Sequence, residues 1–189
     1  NASRSVVANG GLLKKIYLPR QLFPVSNLLV ALIHFVPQLI ILLVACLITG
    51  WSPDPKQFLA VVVGTVLVAA FSLGLGMMFA TFNVFFRDAE NIVDLIVMVS
   101  TWASPVLYMW TMVQDKLWSW VYYVYMLNPL TVAVELFHYG FWSAATGESV
   151  PGIGSIPMLT LVGLVGSLIV LGLGQLAFKR TEGKFAQEL

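Results

Sequence analysis

Three polar side chains interrupt a long apolar run. Asn27, His34 and Gln38 are spaced seven and four residues apart, with Ala31 between them on the same helical face. A histidine within a membrane can relay protons when carboxylates accompany it. No Asp or Glu lies in the same run. The first reading of these residues is therefore hydrogen bonding between helices, and contact with a passing substrate is the second. Covalent chemistry finds no other foothold. The chain has two His and one Cys. It contains no H-E-x-x-H, no G-x-x-x-x-G-K-[ST] and no G-x-G-x-x-G. Cys46 cannot form an internal disulfide, matches no metal spacing and reads as packing. No Ser/His/Asp set or paired carboxylates stand out.

A second concentration of chemistry-bearing side chains lies between residues 102 and 142. This stretch holds twelve aromatic residues, among them five of the six Trp and five of the six Tyr. Trp and Tyr collect at membrane–water boundaries, and that explains any single ring. Their crowding on one side suits a mouth where a sugar polymer slides past flat faces with polar edges. Trp102, Tyr108, Trp110, Trp118, Tyr122 and Tyr125 are the candidate pathway rings, with His34 and Gln38 deeper.

The elements that would carry these side chains follow from charge and length. The chain has 189 residues, 59% hydrophobic and 10% charged, with a mean hydropathy of +0.88. Soluble domains are about a quarter charged, which excludes an ordinary water-soluble enzyme. A net charge of +1 provides no basic surface for nucleic acid. Formal charges are absent from 21–53, 57–86, 95–114, 117–134 and 149–178. A bilayer core needs about 20 apolar helical residues. The expected architecture is an all-α polytopic transmembrane bundle with spans at about 23–49, 57–82, 92–113 and 156–178.

Lys14, Lys15, Arg20, Arg87, Lys179, Arg180 and Lys184 fall on one side of these spans, and Lys56 and Lys116 on the other. The excess belongs in the cytoplasm, which puts the tail 179–189 inside. The apolar segment 117–134 contains Asn128-Pro129 and five Trp or Tyr residues, and a fifth crossing there would put the tail outside. It reads instead as re-entrant at the outer interface, within an external region 114–155 that ends in the Gly-, Ser- and Pro-rich loop 143–157. The second span carries Thr65, Ala69, Ser72, Gly76 and Ala80 along one stripe, with Gly74 beside it, and this predicts a packing seam. Ser104-Pro105 should bend the third span.

Four segments together resemble the membrane subunits of ABC-2 type exporters: LLKKIYLPRQLFPVSNLL (12–29), NVFFRDAENIVD (83–94) with SPVLY (104–108), LNPLTVAVELF (127–137) and FKRTEGKFAQEL (178–189). The likeness is strongest to permeases for O-antigen, teichoic acid and related envelope polysaccharides. It implies that residue 1 falls near the end of the second helix, the first helix, most of the second and an amphipathic start not being included in this sequence. It further implies that 12–20 is a cytoplasmic coupling segment docking on an ATPase through Lys14, Lys15, Tyr17, Pro19 and Arg20. Arg87-Asp88 either closes a local ion pair at the next cytoplasmic turn or joins that contact. His138 stands where relatives often carry Arg, and Gln187 where the tail often has Asp.

The resemblance implies a two-component exporter of a lipid-linked glycan across the inner membrane. It would have two permease copies and two ATPase subunits, with ATP and Mg bound by the latter. An exporter of lipids, drugs or other small amphiphiles is the alternative. A membrane-embedded glycosyl- or acyltransferase fits less well, because the external carboxylates Asp54, Asp115, Glu135 and Glu148 are widely separated.

Overall fold

The computed structural model describes residues 21–48, 50–51, 54–85, 89–108, 110–116, 118–142 and 155–181. Within them the chain forms α1 (Leu22–Ile48), α2 (Pro55–Phe85), α3 (Ala89–Trp102), α4 (Trp110–Lys116), α5 (Ser119–Leu127), α6 (Pro129–Phe137), a π-helical turn (His138–Trp142) and α7 (Ile156–Thr181). No strand occurs among the described residues. Three helices, α1, α2 and α7, are long and apolar enough to cross a membrane, so the chain is a multi-pass membrane protein.

Helix ends are set by local chemistry. After α1, Gly50 adopts φ +86°, a left-handed conformation natural to glycine. Its amide donates to the Leu47 carbonyl (3.1 Å) and the Trp51 amide to that of Cys46 (3.0 Å), the paired closure of a Schellman motif. α2 begins in a capping box. The Asp54 carboxylate accepts from the Lys56 amide (3.5 Å), and Gln57 Oε1 accepts from the Asp54 amide (3.1 Å). Pro55 takes the first helical position, where no amide hydrogen is needed.

The third span, expected over 92–113 with a bend at Ser104-Pro105, is corrected. α3 stops at Trp102, about 21 Å along at 1.5 Å per residue, and the chain turns through 103–106 before α4 starts at Trp110. Pro105 has no amide hydrogen and its ring collides with the carbonyl four residues back. Ser104 Oγ donates to the Ser100 carbonyl (3.0 Å), and the Val106 amide turns onto the Ser104 carbonyl (2.8 Å). Here proline terminates the helix rather than bending it.

Asn128-Pro129 likewise ends one helix and starts another. Proline drives the residue before it into extended geometry, and Asn128 sits at φ −65°, ψ 121°. Its side chain then accepts from the Leu130 amide (3.1 Å) as the cap of α6. α5 and α6 have nine residues each, about 14 Å against the roughly 30 Å of a bilayer core. Neither can cross alone.

Two compact units emerge. One comprises the residues up to Pro37, Ala70–Met98 and those from Leu168 onward. Its core joins Met77, Ala80, Val84 and Phe178, with Val25 and Leu73 against them. Within it α2 and α7 meet at Gly74 and Gly174. A Cβ on Gly74 would stand 2.6 Å from the backbone nitrogen of Leu171, and one on Gly174 would strike the Gly74 carbonyl oxygen. The closest approach is thus at Gly74, beside the predicted stripe; of that stripe Gly76 and Ala80 are buried and Ser72 is exposed. The other unit comprises Gln38–Ala69 and Val99–Ser167. Its core gathers Tyr122 and Met126 of α5, Val132, Ala133 and Leu136 of α6, Ala60 and Leu67 of α2, and Leu159 of α7.

Candidate functional site

The predicted pathway rings divide into two groups. Trp110, Tyr122 and Tyr125 belong to the second unit's core: Tyr122 is 5% exposed, and the other two pack against the buried cluster. Trp102 and Trp118 are 64% and 75% exposed, and Trp120 and Tyr123 stand beside them as exposed rings.

Tyr108 bridges the groups. Its hydroxyl donates to the Trp102 carbonyl (3.0 Å), one of the carbonyls left open where Pro105 stops α3. The Tyr125 hydroxyl donates in turn to that of Tyr108 (3.3 Å). Burial, reinforced by the Tyr108 hydroxyl, pushes the Tyr125 phenol above its ordinary range. It remains a neutral donor at any physiological pH. The Tyr108–Tyr125 pair fastens the end of α3 to α5.

Beside this pair, Glu135 is 4% exposed within α6, and its Oε1 lies 3.5 Å from Nδ1 of the half-exposed His138. A buried carboxylate needs a partner; Glu135 Oε1 has no hydrogen-bond partner among the described residues, and the His138 ring is the basic group beside it. At the mouth of α1 the Trp51 ring lies 5.5 Å from that of Phe141, which stacks on Phe137 (6.4 Å). The sequence reading placed Trp51 outside the aromatic concentration, because its ring joins only through the fold.

His34 and Gln38 lie on exposed turns of α1, and an 18-residue stretch of that helix has no buried residue. Asn27 turns inward on its own helix, Nδ2 donating to the Phe23 carbonyl (3.1 Å). The expected hydrogen bonding between helices is not formed by His34 or Gln38 among the described residues. Lys14, Lys15, Tyr17, Pro19, Arg20, Arg87 and Asp88 lie outside the described residues. At the opposite chain end Lys179 and Arg180 occupy the last turn of α7, where cations favour the helix dipole. Among the described residues no three His, Cys, Asp or Glu side chains converge as metal ligands.

Residues 11–142 match the ABC-2 type transporter family, more than two thirds of the chain. The chain belongs to that family. It is thus a membrane transport subunit of an ABC system, which operates with an ATPase partner. Two O-antigen export system permease proteins RfbA of Klebsiella pneumoniae are 26% and 29% identical over all 189 residues, which span 68% of each relative. An RfbA permease of Myxococcus xanthus is 27% identical over 178 residues, 94% of this chain and 64% of its own length. Of the three long helices α1 has no buried residue over an 18-residue stretch, whereas α5 and α6 pack on residues of α2 and α7.

Proposed function

We propose that this ABC-2 permease exports a lipid-linked cell-envelope polysaccharide across the inner membrane, as half of a twofold channel with two ATPase subunits. The carrying observation is that all 189 residues, from the basic segment before α1 to the tail, align with two O-antigen export permeases at 26% and 29% identity. The exposed rings Trp102, Trp118, Trp120 and Tyr123 support a sugar cargo, since each offers a flat apolar face with a polar edge. Trp110, Tyr122 and Tyr125 are framework in this proposal, holding the hairpin that presents the others.

The exposed face of α1, with His34 and Gln38, is available to the second permease copy or to the cargo. Closed twofold symmetry is the usual way for two such half-walls to meet. Seven Lys and Arg flank the spans on one side against Lys56 and Lys116 on the other, which supports a cytoplasmic C-terminus. Nucleotide and Mg belong to the ATPase partner, and Lys14, Lys15, Tyr17, Pro19, Arg20, Arg87 and Asp88 to the coupling side. ATPase closure would press the coupling segment, and the stiff spans would carry that displacement outward.

A strain lacking the permease should accumulate lipid-linked polysaccharide on the inner leaflet, and the intact gene should restore surface glycan. Normal surface glycan in the deletion strain would overturn the cargo assignment. Replacing Tyr17 and Arg20 together should separate ATP hydrolysis from export while the subunit still inserts. In a Cys46→Ala background, Val124→Cys should react with an impermeant maleimide from outside, and Ala186→Cys only after lysis. The reverse pattern would overturn the orientation.

A further inference from the structure

A groove of about 740 Å³ opens where α2 and α7 begin, inside the second unit. Leu59 and Val63 form one wall, Leu161 and Leu164 the other, and Tyr139 of the π-helical turn closes one edge. The buried Ala60 floors it. Lys56, an exposed residue of the first turn of α2, is the one charged side chain among its lining residues.

The position of this groove along the helices restricts its occupant. α2 and α7 are membrane spans, so their first turns mark a membrane boundary. From Lys56 to Val63 the groove descends about 10 Å along α2, and from Ile156 to Leu164 about 12 Å along α7. It therefore starts at headgroup level and runs into the hydrocarbon. Its walls face outward: Leu59 and Leu161 are 60% and 57% exposed. Its size falls in the usual range for small-molecule sites, about 300–1,000 Å³. An occupant must be apolar along its length and polar at one end.

The sign of that end comes from Lys56. Asp54, the nearest acid in sequence, directs its carboxylate to the Lys56 amide as a helix cap. No carboxylate pairs with the Lys56 ammonium among the described residues. The Thr160 hydroxyl is taken up by the Ile156 carbonyl at 2.8 Å. What is left at the mouth, among the described residues, is a cation without a paired carboxylate at a lipid–water boundary, which favours an anionic headgroup.

We infer that this groove binds an anionic glycerophospholipid, with its phosphate on Lys56 and an acyl chain along Leu59, Val63, Leu161 and Leu164. The site depends on the chain spanning the membrane and not on which cargo is exported. A lipid held there would wedge between the starts of α2 and α7 and brace the π-helical turn through Tyr139.

The test uses the permease–ATPase complex in nanodiscs of mixed phosphatidylglycerol and phosphatidylcholine. Each lipid in turn carries a photoactivatable group midway along one acyl chain, and crosslinks are mapped by peptide mass spectrometry. Phosphatidylglycerol should label Leu59, Val63, Leu161 or Leu164 about fivefold more than phosphatidylcholine, the preference expected of one interfacial lysine. Lys56→Gln should abolish the preference, and Lys56→Arg should retain it. Leu161→Trp, filling the groove from an exposed wall, should lower labelling by both lipids. Equal labelling by the two lipids in the native protein would overturn the inference. So would labelling no denser in the groove than on the exposed face of α1, or a preference that survives Lys56→Gln.

Discussion

The long helix α1 and the short pair α5–α6 are built from the same apolar residue types, yet bury them in opposite measure. α1 exposes Ile33, Val36, Ile40 and Ile41 at 51–69%, and Pro24 near its start is its one buried residue. α5 and α6 seal Met126, Val132, Ala133 and Leu136 to 0–1% exposure, take Tyr122 into the same core, and bury Glu135 as well. Hydrophobicity alone therefore does not decide what is interior here. α1 is apolar for lipid or for another helix to cover, whereas α5 and α6 are too short to use the bilayer as a solvent and must satisfy one another.

This contrast can be broken by mutation. The largest effect is expected at Leu136→Ala and Met126→Ala, each destabilising by about 2–5 kcal/mol through cavity formation, as read by thermal unfolding in detergent. The matching changes Ile33→Ala and Ile41→Ala should stay within about 0.5 kcal/mol in the isolated subunit. Similar losses at both places would remove the distinction. Asn128→Ala should destabilise by about 1 kcal/mol through loss of the α6 cap, whereas Asn128→Asp should keep it. Tyr108→Phe deletes the donor to the Trp102 carbonyl and should cost about 0.5–1.5 kcal/mol, measured in the same unfolding assay.

A functional pairing sharpens the same contrast. Replacing Trp102, Trp118 and Trp120 together with Ala should reduce export per molecule of folded permease. Trp110→Ala with Tyr122→Ala should instead reduce the amount of folded permease and export in parallel. Equal behaviour of the two sets would mean that exposure does not separate contact rings from framework rings.

Much of this architecture was legible from charge and length. The gaps between charged residues placed α1, α2 and α7 within a few residues, because an uncharged stretch of that length has few alternatives to spanning. Asn128-Pro129 announced its break, since both residues act through backbone rules that need no tertiary context. Pro105 was harder. A proline can kink or stop a helix, and the outcome depends on whether neighbours take up the freed carbonyls. Here Tyr108 does so from six residues beyond Trp102. The seam was legible in part. Gly76 and Ala80 of the expected stripe are buried, while Ser72 is exposed and the backbones meet at Gly74 beside it. Small residues mark where helices can approach, and only the partner decides where they do. The aromatic concentration was visible, but its division into buried and exposed rings was not. The groove under Lys56 involves three separated segments, and no local pattern could reveal it.

The crossing at Gly74 and Gly174 sets a rule for how the subunit can deform. With main chain pressed on main chain, neither rod can slide lengthwise without driving a larger side chain into its neighbour, since Phe71 and Met77 stand a turn either side of Gly74, and Leu171 and Phe178 a turn either side of Gly174. Turning about that point needs no such collision. The two rods are pinned like scissor blades, so a modest push at one tip would become a swing at the other rather than a stroke along the membrane normal.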